Sequence, residues 1–245
     1  MLELIIFGFL ISLVVSMVGL GGGVLFLPLL VIIYNIEPAS AVGISLFAMM
    51  GVTLSSSVGY FCQNKVDMKL SILYDLFDIP GVIIGAAITV LILPNTLLLI
   101  CGAIILIMGF LLFFSNRLKL IHKNKKMSIK TYIIASISSL FGGLVTGLSG
   151  MGGGTIDTAT MVLLGVPFTK AVASSEFAML LTNIFGFLIH NHLGNIDYSL
   201  ALPLFIGSLI GGLIGSRYAK RINQEALKKI LSIFIIILGI RLIFL

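Results

Sequence analysis

Tryptophan is absent from this chain and charge is scarce: Lys, Arg, Asp and Glu make up 10% of the 245 residues, where a soluble domain carries about 25%. With 59% hydrophobic residues and a mean hydropathy of +1.22, a water-soluble globular domain is excluded. Cysteine is nearly missing too. Cys62 and Cys101 stand apart with no CxxC spacing, so neither a disulfide framework nor a metal site is indicated, and no cofactor is expected. In place of these features stand long apolar runs, each near the roughly 20 residues that one spanning helix needs. Their continuity excludes a transmembrane barrel, whose strands alternate in shorter segments. The first run has no basic n-region and no A-x-A-like site, so it reads as part of the fold rather than a signal peptide. The fold class is therefore an all-α polytopic membrane protein, expected as a multi-pass protein of the cell membrane. The net charge of +6 is confined to connecting loops, which points to the inner membrane face and not to nucleic acid.

The chain repeats itself. A shift of 130 pairs Ala41, Val42, Ser45, Phe47, Ala48 and Met49 with Ala171, Val172, Ser175, Phe177, Ala178 and Met179. The register continues without a gap through Asp67/Asp197, Gly81/Gly211, Gly85/Gly215 and Gly109/Gly239. One residue of offset upstream aligns Gly19-Leu20-Gly21-Gly22-Gly23 with Gly150-Met151-Gly152-Gly153-Gly154. A constant register across charged and glycine positions is not what chance similarity between apolar segments gives. The chain divides into a first repeat, 1–116, a basic cytoplasmic linker, 117–130, and a second repeat, 131–245.

Each repeat opens with a long Gly-interrupted segment, 2–34 and 131–166, followed by three ordinary spans. At about 1.5 Å per residue such a segment would be roughly 50 Å long as one helix, against a hydrocarbon core of about 30 Å. Three adjacent glycines, each costing about 1 kcal/mol in a helix interior, predict a broken helix or re-entrant hairpin. If both segments return to their own side, each repeat crosses three times and the two are inverted. All of the 15 Lys and Arg residues except Arg241 then fall inside, with both termini outside.

Two groups of residues are candidates for chemistry. The first is the pair of breaks, Gly21, Gly22 and Gly23 with Gly152, Gly153 and Gly154, where helices that restart inside the membrane present free N–H groups and a positive dipole end to an anion. Ser45 and Ser175, at equivalent positions in the following helices, could add hydroxyl donors. Gly81-x-x-x-Gly85 and Gly211-x-x-x-Gly215 read instead as helix-packing motifs. The second group is acidic: Asp75, Asp78, Asp157 and Glu176 lie inside apolar segments, where an ionised side chain costs several kcal/mol. Asp157, Glu176 and Asp78 are therefore candidates to take and release protons. The counterparts of Asp157 and Glu176 in the first repeat are Phe26 and Leu46, so acid chemistry has been added to one half only. A weaker pattern, Gly147-Leu148-Ser149-Gly150, matches the GxSG of rhomboid intramembrane proteases, with His190 and His192 one helix later in an expected outer loop.

The two glycine segments, with Pro28 beyond the first and the runs Ala41-Val42-Gly43-Ile44-Ser45-Leu46 and Ala171-Val172-Ala173-Ser174-Ser175 following, resemble the sulfite exporter TauE/SafE family of membrane permeases. The resemblance covers essentially the whole chain, and it implies transport, mostly export, of sulfite, sulfonates and related sulfur compounds. The second repeat departs from the pattern with Ala159 where the first has Pro28, and Glu176 where it has Leu46. The expectation is a secondary transporter, not an enzyme, for a small anion, coupled to protons, surrounded by membrane lipid, with no nucleic acid partner and with a homodimer as an admissible assembly. A cation or metal permease using the buried carboxylates is the alternative within transport. An intramembrane serine hydrolase is the alternative of another class.

Overall fold

The computed structural model describes residues 1–114, 129–219 and 221–245, so the expected linker lies outside the described residues up to residue 128. Among the described residues every regular element is helical. The first half contains α1 (Leu2–Val18), α2 (Gly23–Pro28) continued by a π-helical turn (Leu29–Ile33), α3 (Pro38–Phe61), α4 (Met68–Thr89) and α5 (Pro94–Phe114). The second contains α6 (Ile129–Ser149), α7 (Gly154–Leu163), α8 (Phe168–His192), α9 (Tyr198–Tyr218) and α10 (Gln224–Ile243). Six of these helices, α3, α4, α5, α6, α8 and α9, are long and apolar enough to cross a membrane.

The repeated residues account for the repeated boundaries. Asp67 and Asp197 cap α4 and α9, accepting from Leu70 N at 3.2 Å and Ser199 N at 2.8 Å, which satisfies backbone donors that open a helix. Gly19 and Gly150 end α1 and α6 in the left-handed region, with φ of +78° and +61°, which glycine adopts without a Cβ penalty. Pro28 supplies no N–H to the helical ladder, and the chain beyond it runs on as the π turn. Where Ala159 replaces that proline, α7 continues as an ordinary helix.

Packing crosses the two halves. α1 lies along α9, with Gly207, Gly211 and Gly215 set against Ile5, Phe9 and Leu13, so the two run in the same direction. The matching pair is α4 on α6, where Gly81 and Gly85 meet Leu140 and Leu144 and run parallel again. Both GxxxG motifs thus serve close helix packing, as the sequence suggests. α3 runs parallel to α9, through Gly51 on Phe205 and Gly59 on Ser216, and α4 parallel to α8, through Asp75 on Thr182 and Val82 on Gly186. α3 and α8 are antiparallel, since Ser56 meets Glu176 whereas Gly43 meets His190. α5 and α10 are antiparallel too, with Gly102 on Ile243 and Gly109 on Ile236. Corresponding helices of the two halves therefore point in opposite directions. Because α1 and α3 point the same way, the 19–37 segment between them must fold back along the bundle.

Candidate transport site

The two breaks meet beside the midpoints of α3 and α8. A Cβ on Gly23 would lie 2.5 Å from Met151 Cα, and one on Gly154 would lie 3.1 Å from the Gly19 carbonyl oxygen, so each break is packed on the other. Gly21, Gly22 and Gly152 have positive φ, +73°, +100° and +81°, whereas Gly153 caps α7 with an ordinary φ of −67°. The expected glycine conformations are therefore needed at three of the six positions. Gly153 is required for another reason, because its Cβ would stand 2.6 Å from backbone atoms of Gly142 in α6. Gly22 and Gly153 face Phe26 and Gly142, and the other four glycines face the Met49 and Met179 thioethers.

Ser45 and Ser175 are both buried here and both already engaged. Ser45 donates to the Gly150 carbonyl at 2.7 Å, tying α3 to the second break. Ser175 shares a 2.6 Å hydrogen bond with Thr158 of α7. Glu176, without solvent contact, reaches across to the first half. Its Oε1 accepts from the Gly21 N–H at 3.4 Å and its Oε2 from the Ser56 hydroxyl at 2.8 Å. A carboxyl oxygen of the protein itself thus occupies a backbone donor of the first break. At the second break the equivalent side chain is Leu46, which packs on Gly186.

Asp157 does not join Glu176. It starts from the first turn of α7 and turns to the gap at Gly142, where the Asp157 and Asp78 carboxyls lie together between α7, α4 and α6. The missing side chain of Gly142 makes the room: a Cβ there would lie 3.2 Å from Asp157 Oδ1 and 3.4 Å from Asp78 Oδ1. Among the described residues none of the four carboxyl oxygens meets an N–H or hydroxyl in good hydrogen-bond geometry, nor does the buried hydroxyl of Tyr74, one turn before Asp78. Asp75 separates from this group and accepts from the N–H and hydroxyl of Thr182 at 3.2 and 3.0 Å.

Ser149 donates to Val145 within its own helix at 2.6 Å, the usual fate of a serine in an apolar helix. The sequence places His190 in a solvated loop, but α8 extends to His192 and His190 is fully buried. Its Nε2 lies 3.2 Å from the Gly147 carbonyl oxygen and its Nδ1 3.3 Å from Asn195 Nδ2, so the ring fastens α8 to the end of α6 rather than activating Ser149. Sequence reasoning passed over Ser56, Thr53, Tyr74 and Asn183. Only the four-residue spacing of Ser45, Met49 and Thr53, repeated in Ser175, Met179 and Asn183, signals some of them.

A family model described as sulfite exporter TauE/SafE matches residues 4–242. The probable membrane transporter protein YunE of Bacillus subtilis is 27% identical over 263 residues, covering 98% of this chain and 96% of the relative. A second Bacillus subtilis relative, the probable membrane transporter protein YdhB, is 22% identical over 96% of this chain and 97% of its own. A probable membrane transporter protein of Xylella fastidiosa is 24% identical over 96% of this chain and 92% of its own. With ten α-helices among the described residues in two matching sets and a family match that runs almost end to end, the chain belongs to the sulfite exporter TauE/SafE family of multi-pass membrane transporters.

Proposed function

We propose that this chain is a secondary transporter, an exporter, of a small anion such as sulfite, a sulfonate or a related sulfur compound, and that it moves the anion together with protons. The observation that carries this reading is the Glu176 carboxylate on the Gly21 N–H and the Ser56 hydroxyl. These donors already hold the two oxygens of a carboxyl group, so the oxygens of a substrate oxyanion fit the same chemistry, with the positive helix end adding to it. On this reading Gly21, Gly22 and Gly23, Gly152, Gly153 and Gly154, Ser45 and Ser175 surround the substrate. Glu176 gives up its hold on Gly21 when it takes a proton, and the anion takes its place. Asp157 and Asp78 carry a second proton between α7 and α4. The architecture is an inverted duplication of 1–116 and 131–245 about the cytoplasmic 117–130 linker, a reading supported by the opposed directions of corresponding helices.

Binding of sulfite to purified protein at several pH values tests this function. Affinity strengthens as pH falls, because a carboxylate that takes a proton no longer repels or displaces the anion. Glu176→Gln, which fixes the neutral form, binds sulfite almost independently of pH and loses proton-driven accumulation. The unpartnered carboxyl oxygens of Asp78 and Asp157 favour a second reading, a cation permease. That protein binds a divalent metal instead, more weakly as pH falls, and fails to bind it after Asp157→Asn. Metal binding with that pH slope and no sulfite binding overturns the anion reading.

A further inference from the structure

Three pairs of residues are related by the 130-residue shift along α3 and α8: Ser45 and Ser175, Met49 and Met179, Thr53 and Asn183. Because the two helices are antiparallel, the serines lie towards opposite ends, on Gly150 and Thr158, and the inner pairs lie near the crossing. The spacing of four puts each set of three on one helix face. All six are at 0% exposure. Asn183 Nδ2 donates to Thr53 Oγ1 at 3.3 Å across the helix contact, and the Asn183 side-chain carbonyl has no partner among the described residues. An apolar bundle gains nothing from a buried, half-satisfied amide, so this polar track calls for a use.

Near the Thr53–Asn183 pair, where α3 and α8 cross, the two thioethers stand against the glycine breaks. They fill the space left by missing glycine side chains: Met49 Sδ lies 2.5 Å from where a Gly23 Cβ would stand, and Met179 Sδ lies 3.0 and 2.6 Å from those of Gly21 and Gly154. Two clefts open at opposite ends of the bundle. One, between Leu20, Leu112, Thr155 and Phe168, opens where α5 ends and α8 begins. The other, between Glu37, Thr89, Pro94 and Asn195, opens where α3 and α5 begin.

We propose that Met49 and Met179 form a paired thioether gate that closes the transport path between the glycine breaks and sets the size of anion that passes, an inference that rests on the anion-transport reading above. Methionine suits the position. Its unbranched side chain has three rotatable bonds, so it swings aside without moving a helix. Carrying no charge and only a weak acceptor, the thioether neither repels an anion nor traps it. A shape-fixed residue of equal volume closes the path as well but opens it slowly.

The test uses the full chain in proteoliposomes, with sulfite and the bulkier benzenesulfonate as probes. Met49→Ala with Met179→Ala shifts the ratio of kcat/KM for benzenesulfonate over sulfite at least tenfold toward the larger anion, and each single alanine shifts it about threefold. Met49→Leu with Met179→Leu keeps the wild-type ratio and KM and lowers kcat. An unchanged ratio in folded alanine variants overturns the gate. A second measurement is independent of the substrate. Met49→Cys or Met179→Cys, made with Cys62→Ser and Cys101→Ser, reacts with a sulfonate-bearing methanethiosulfonate reagent. Failure of both positions to react overturns the gate. Reaction of either position in a chain that carries neither sulfite nor benzenesulfonate supports the gate and overturns the choice of anion.

Discussion

Ser56→Ala removes the 2.8 Å hydrogen bond to Glu176 Oε2 and leaves the carboxylate with the long, 3.4 Å contact from Gly21. A bond to a charged group contributes about 1.5–3 kcal/mol, and a bond to the neutral form about half of that. The difference, roughly 0.75–1.5 kcal/mol, is the part that favours the charged carboxyl, and it corresponds to up to about one pH unit. Its sign is fixed by the mechanism. The hydroxyl supports the carboxylate, the proposed transport step needs the neutral acid, and losing the hydroxyl lets the proton bind at higher pH. Sulfite uptake into proteoliposomes, measured over a pH series, is therefore expected to reach half its maximum up to about one unit higher in Ser56→Ala. Ser56→Thr, which keeps a hydroxyl, stays with the wild type. No shift in Ser56→Ala, or a shift to lower pH, refutes the coupling of Glu176 to the first break.

Asp78→Asn lowers the number of protons carried per sulfite by about one, read from a pH-sensitive dye inside the vesicles; unchanged stoichiometry in both Asp78→Asn and Asp157→Asn removes this pair from coupling. Gly153→Ala lowers the thermal unfolding temperature in detergent although its φ of −67° accepts alanine, because the added Cβ pushes α7 off Gly142; overpacking of this kind costs about 1–3 kcal/mol. An unaltered unfolding temperature refutes that close approach. For topology, cysteines at Glu37, Asn95 and His192 react with an impermeant thiol reagent from outside intact cells, and the exposed native Cys62 reacts only in inverted vesicles. Protection of the His192 position rules out the fold-back reading of the second glycine segment.

Element limits were legible because apolar runs, capping aspartates and glycine stops act over a few residues. Asp67 and Asp197, matched in the sequence by register alone, prove to be helix caps. The site was legible in its glycines and acids but not in its pairings. Which carboxyl meets which element depends on helix rotation, and three residues, about 60° around α4, separate Asp75, on Thr182, from Asp78, beside Asp157. The partnership of Asp157 with a first-half helix rests on the gap at Gly142, a contact over a long sequence separation that no local pattern encodes. His190 escaped for a related reason: histidine suits a helix end in water, and only the Gly147 carbonyl and Asn195 make its burial tolerable.

The exchange of partners between the halves, α1 with α9 and α4 with α6, constrains how this protein changes shape. Glycine-lined seams hold those pairs at near-backbone contact, so the halves written in the sequence cannot swing as two separate bodies. The units able to move as wholes are woven from both: α1, α3 and α9 on one side, α4, α6 and α8 on the other. They touch along α3 and α8. A rocking motion at that line would open one end of the bundle while closing the other, with the two methionines at its fulcrum. Neither gene half, expressed alone, would then own a complete lever; co-expressed halves would have to interlock before either had a path to open.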